Sequence, residues 1–189
     1  MSFFHLNTYK NTRWLKMAIV LVTVAIMSAS VMAYAKNNSD NKNALPENTV
    51  ADKVFVDKSA RVLQLMDGDK VIKSYHIALG DSPKGHKRQQ GDERTPTGAY
   101  TLDYKNEKSK YHRSIHVSYP NATDKARAKK LGVNPGGDIM IHGQKNGFGH
   151  LANITQRRDW TDGCIAVTDD EMDEIMAAVK VGTAIEIIE

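Results

Sequence analysis

A second cysteine is missing from this chain, and its absence removes the internal disulfide and the multi-thiolate metal site together. One thiol, Cys164, stands in 189 residues, and an odd thiol marks either reactivity or pairing between molecules. The histidines do not replace the missing sulfur. His112 and His116 lie two strand steps apart, and no Cys or His cluster has zinc-ligand spacing. Charge of one sign is also missing. Of 26 basic residues, Lys10, Arg13 and Lys16 lie before Lys36 with no acid among them, leaving 23 against 22 acids. A balance so near neutral gives no general electrostatic reason to bind nucleic acid.

Apolar residues are nearly absent from Lys36 to Val50, which is rich in Asn, Asp and Lys and reads as a solvated linker without its own core. Ahead of it, Met17 to Tyr34 carries no charge, follows three cations and ends in Ala33-Tyr34-Ala35, with small residues where a signal peptidase reads. Residues 1–35 are therefore expected to be a secretory signal cut after Ala35. The alternative is an uncleaved anchor, since about 18 apolar residues can just span a bilayer. Either places the remaining domain, 51–189, outside the cytoplasm, in the periplasm or cell envelope.

What is present in that domain is a series of short β-prone runs without alternating strands and helices, which argues for a mostly β fold and against a doubly wound one. Arg61–Met66 and Lys70–Ala78 flank Asp67-Gly68-Asp69 as a hairpin. Gly80–Thr97 has the Gly, Pro and charge density of a long functional loop. Gly98–Tyr104 and Ser114–Tyr119 read as strands, and Asn121 can cap a helix that Gly132 stops. Thr168 and Glu171 form a capping box ahead of Met172, Ile175, Met176 and Val179 at helical spacing, with Gly182 ending a turn and Ala184–Ile188 as the last strand. Two helices are thus expected.

The chemistry concentrates between Asp138 and Val167. Ile139–Ile141 ends at His142, and Ile165–Val167 begins just after Cys164. A free thiol ionises at a pKa of about 8.5 and needs a neighbouring imidazole or backbone amides to react near neutral pH. His142 offers the first. Gly163, without a side chain, lets a turn aim the amides of Gly163 and Cys164 at an oxyanion. Arg157 and Arg158, on the loop between the pair, either bind carboxylates bidentately or face solvent. Asp162 beside the thiol would raise the cysteine pKa if it pointed inward, so it is expected to face a cation.

His142-Gly143 followed by Thr161, Gly163 and Cys164 resembles the active-site signature of the L,D-transpeptidases, the YkuD-type catalytic domain. Ala78-Leu79-Gly80, Gly91 to Tyr100 and Ser118-Tyr119-Pro120-Asn121 resemble further stretches of that family in the usual order, so the likeness spans about Val54 to Ile188. Asp162 replaces the histidine most members carry, Ala166 an arginine or asparagine, and the loop from His142 to Thr161 is slightly longer. The resemblance implies a β-sandwich opened into a cleft, with Cys164 as nucleophile, His142 as base, and Gly143 and Gly163 orienting base and oxyanion. Trp160, Thr161, Asp162, Arg157 and Arg158 are the expected substrate contacts, and the resemblance implies no metal or organic cofactor and peptidoglycan stem peptides as the partner of a monomer. The expected activity is acyl transfer on those stems. The alternatives are an L,D-carboxypeptidase or amidase, and a wall-binding module with a degenerate site.

Overall fold

The computed structural model describes residues 44–189. The expected signal or anchor and most of the linker lie outside them. Among the described residues no helix is long and apolar enough to cross a membrane. The described end of the linker has no regular element, yet it is not wholly solvated, because Leu45 packs against the core.

Eight strands form one sheet: β1 (Ala51–Asp57), β2 (Val62–Asp67), β3 (Lys70–His76), β4 (Gly98–Asn106), β5 (Ser114–Val117), β6 (Met140–His142), β7 (Ile165–Ala166) and β8 (Val179–Ile188). Their order across the sheet is β3-β2-β1-β8-β4-β5-β6-β7. In β1 the strand period of two places Val54 and Val56 in the core while Lys53, Phe55 and Asp57 alternate outward. The Asp67-Gly68-Asp69 hairpin forms as expected, with Gly68 at φ 56°. The layers arise because this one sheet curls until its ends meet. Past β3, Ala78 pairs with Ala166 of β7 through N–H to O bonds of 2.9 and 2.8 Å, and Gly80 bridges Thr161.

Among the described residues three helices accompany the sheet, one more than expected. The helix α1 (Ala122–Leu131) carries a full capping box, Asn121 with Asp124, and stops at Gly132 in the left-handed region. The additional α2 (Ala152–Thr155) is a single turn continuing a 3-10 turn at Gly149–Leu151, with no side-chain cap at either start. With α3 (Asp169–Ala178), the Thr168–Glu171 capping box is present and Met172, Ile175 and Met176 are buried. Burying each such side chain contributes about 1.5–3 kcal/mol, and the helix thereby packs across β5, β6 and β8. The chain passes from α3 straight into β8, so Gly182, at φ 95°, lies inside a strand rather than ending a turn before one. A register shift opposite Ala51–Lys53 and the Lys180 N–H bond to Thr183 Oγ1 (3.2 Å) accommodate it.

Candidate active site

The parallel pairing of β6 with β7 sets His142 opposite Ala166. Cys164, two residues before Ala166, therefore projects to the same face of the sheet as His142. The imidazole is 4% exposed, and its Nδ1 lies 2.7 Å from the carbonyl oxygen of Gly143. A carbonyl only accepts, so Nδ1 carries the proton and Nε2 keeps its lone pair. Tyr111 and Trp160 enclose the ring, with centroids 4.7 and 5.6 Å away. Gly143 is itself fixed. Its N–H donates to the Arg113 carbonyl (3.3 Å), and the following amide, of Gln144, donates to Asp169 Oδ1 (2.7 Å). A Cβ at Gly143 would lie 2.7 Å from that oxygen, so the position admits no side chain without displacing Asp169.

The half-buried thiol accepts from the Met140 N–H (3.4 Å) and donates to the Asp138 carbonyl (3.6 Å). Burial pushes the Cys164 thiol above its ordinary pKa, with the Met140 bond and Lys87 opposing and Asp162 and Asp138 adding to it. Burial also lowers His142, against the bond to Gly143. Both directions favour a neutral thiol and a neutral imidazole at rest.

Behind the thiol, three backbones meet. Gly163 has φ 119°, and a Cβ there would stand 2.6 Å from the Arg94 carbonyl oxygen. A Cβ on Gly80 would strike the Glu93 carbonyl and approach the Gly163 nitrogen at 2.9 Å. These contacts explain why the Ala78-Leu79-Gly80 and Gly91–Gly98 stretches accompany the cysteine turn. The Gly163 N–H donates to Thr161 Oγ1 (3.2 Å), whose hydroxyl donates to the Cys164 carbonyl (2.8 Å). Of the two amides expected to face an oxyanion, that of Gly163 is thus engaged inside the turn.

A cleft of about 720 Å³ opens in front of Cys164, lined by Lys87, Gln90, Gly91 and Glu93 from the Gly80–Thr97 loop, by Asn134 and Gly136 to Ile139, and by Asp162. Lys87, 3% exposed, donates to Asp92 Oδ1 at 2.8 Å. The other oxygen of Asp92 accepts the Arg88 and Gln89 amides, and Oδ1 also takes that of Arg94, so one carboxylate shapes the whole loop.

Among the expected substrate contacts, only Asp162 lines this cleft. Thr161 is buried and holds the turn, and Trp160, whose backbone N–H donates to the Leu79 carbonyl, lies edge-on to the imidazole. Arg157 and Arg158 line a different cavity, because Asp159 just after them is bound by Arg61 and turns that stretch away. Sequence reasoning missed Lys87, Asp92 and Tyr111. The first two belong to the loop marked as functional. Tyr111, in an irregular polar stretch, gave no signal.

Comparison with known proteins agrees with this architecture. Residues 51–187 match the model of the YkuD family, L,D-transpeptidase catalytic domain. Over 175 residues the chain is 26% identical to YafK of Escherichia coli (strain K12), a protein assigned provisionally to the L,D-transpeptidases. The match takes in 87% of this chain and 63% of that protein's length. The helical cell shape determining protein Pgp2 of Campylobacter jejuni superposes with a TM-score of 0.57 at 24% identity, over 72% of this chain and 47% of Pgp2. Its K307A mutant gives the same TM-score over 80% of this chain and 52% of that one. With the match running from β1 to nearly the end of β8, the chain belongs to the L,D-transpeptidase catalytic-domain family.

Proposed function

We propose that this protein is a cysteine acyltransferase of the cell wall acting on peptidoglycan stem peptides. The observation that carries the reading is the thiol at the mouth of a cleft, with an imidazole on the adjacent strand held by the Gly143 carbonyl in the tautomer that can take a proton. Cys164 Sγ attacks the carbonyl of the diaminopimelate residue joined to D-alanine, and its proton passes to His142 Nε2. As the C–N bond breaks, the imidazolium returns that proton to the departing D-alanine amine, leaving a thioester. An amine from a second stem then closes a crosslink, or water trims the stem. The Cys164 amide supplies the oxyanion donor, since that of Gly163 is engaged. Asp162 and Glu93, which line the cleft, would receive an acceptor ammonium.

The domain works outside the cytoplasmic membrane, where its polymer lies, and protein recovered from the envelope should begin at Lys36. Full-length protein found only in membranes would support an anchor instead. A part in cell shape follows if this protein serves the role named for Pgp2. Incubating the protein with a disaccharide-tetrapeptide, with and without an acceptor stem, and reading products by mass tests the reading. A crosslinked dimer with loss of D-alanine is expected. Tripeptide alone would assign a hydrolase, and unchanged substrate a wall-binding module.

A further inference from the structure

The cavity that receives Arg157 and Arg158 shares no lining residue with the thiol cleft, and its charge is opposite. It measures about 530 Å³ and is lined by five cations, Lys58, Arg61, Lys84, Arg157 and Arg158, against two carboxylates, Asp159 and Glu189. Both carboxylates are already used. Glu189 Oε2 accepts from Lys58 Nζ at 2.9 Å, and its Oε1 accepts the Gly85 N–H at 2.9 Å. Asp159 takes Arg61 through both oxygens and the Leu79 N–H at 2.9 Å. Lys58, 1% exposed, spends a further bond on the Gly85 carbonyl (2.8 Å). These pairs engage both carboxylates and leave the exposed Lys84, Arg157 and Arg158 with no acidic partner among the described residues. The thiol cleft has the reverse balance, with Lys87 against Glu93, Asp138 and Asp162.

We propose that this cavity is a second binding site, for carboxylates of the wall polymer, so that the protein reads a stem peptide by both of its signs. The proposal rests on the function argued above, and it places the ammonium-bearing part of a stem in the acidic cleft and free carboxylates of the same or a neighbouring stem on Arg157, Arg158 and Lys84. Guanidinium groups meet carboxylates through paired N–H bonds, which a lone ammonium cannot match. Asp159 lines the cavity and Asp162, three residues further on, lines the thiol cleft, so one short segment reaches both sites.

The test uses full-length protein carrying Cys164→Ser and calorimetric titration with a disaccharide-tetrapeptide, compared with the same compound whose free carboxylates are amidated. Amidation should weaken binding about tenfold, the scale of charge-assisted hydrogen bonds. The added pair Arg157→Ala/Arg158→Ala should bind the intact compound about tenfold more weakly and lose most of the sensitivity to amidation, because the two changes remove one interaction. Arg157→Lys/Arg158→Lys should restore part of it. Full sensitivity to amidation in the alanine pair would overturn the site. Inorganic phosphate bound by the arginine protein but not the alanine pair, with no effect of amidation, would overturn the carboxylate assignment in favour of a phosphate ligand. Turnover by protein with Cys164 intact separates the two readings: turnover without an amidation effect removes this site alone, while neither turnover nor binding removes the function beneath it.

Discussion

At the scale of single residues, the neutral pairing of Cys164 with His142 sets a measurable pH response. Alkylation of Cys164 by iodoacetamide should accelerate as pH rises, with a midpoint above the ordinary thiol value of about 8.5, because burial raises the thiol. A rate already at its plateau at neutral pH would mean a preformed thiolate. Cys164→Ser should abolish turnover with little change in thermal midpoint. His142→Ala should lower turnover by about 10²- to 10⁴-fold, and it should also lower the midpoint, since the ring fills the space between Tyr111 and Trp160. Stability lost there is about 1 kcal/mol from aromatic contact alone. That Cys164 and His142 lie at adjoining strands was legible because each sits at one end of an apolar run beside a glycine. The placement of Arg157 and Arg158 was not, since it depends on Asp159 meeting Arg61, nearly a hundred positions earlier in the chain.

At the scale of elements, caps were readable and tertiary anchors were not. Thr168→Ala removes a hydroxyl that accepts the Glu171 N–H and should cost about 1 kcal/mol, seen as a lower urea midpoint with an unchanged slope. The single turn α2 has no cap to announce it. The Gly80–Thr97 loop shows the other case, because its order depends on Asp92. Burial raises the carboxyl of Asp92, but hydrogen bonds from the Arg88 amide, Lys87 and the Gln89 and Arg94 amides outweigh it and hold it below the usual aspartate range. A depressed carboxylate contributes stability that is present above its unfolded pKa and lost as pH falls through the folded one. Wild-type protein should therefore melt above Asp92→Asn at pH 7, with the gap closing below about pH 4, near the unfolded value. A gap that stays constant down to pH 2 would contradict this role. Asp92→Ala should cost more, about 3 kcal/mol, by leaving the buried Lys87 ammonium without its partner.

At the scale of the whole molecule, pattern announced strands but not their neighbours. Nothing local says that β1 pairs with β8, the first strand with the last, or that the stretch after β3 closes on β7. Those pairings come from burying a shared core, not from any turn. If the closure is as tight as its bonds indicate, the Ala78 and Ala166 amides should exchange with solvent only as slowly as those of central β1. Exchange at loop rates would show the seam to be open.

The meeting of Gly80, Gly163 and the Arg94 carbonyl has a consequence for how this protein can change over generations. Neither glycine has room for a side chain against the Glu93–Arg94 backbone, so a substitution at either would need compensating change in a distant segment of the chain. Gln90, Glu93 and Asn134 line the cleft with side chains and lack that constraint. If the protein acts as proposed, selection for a new acceptor, or for escape from a covalent inhibitor, should therefore be recorded in those three positions, and a library randomised there should yield altered specificity far more often than one randomised at the glycines.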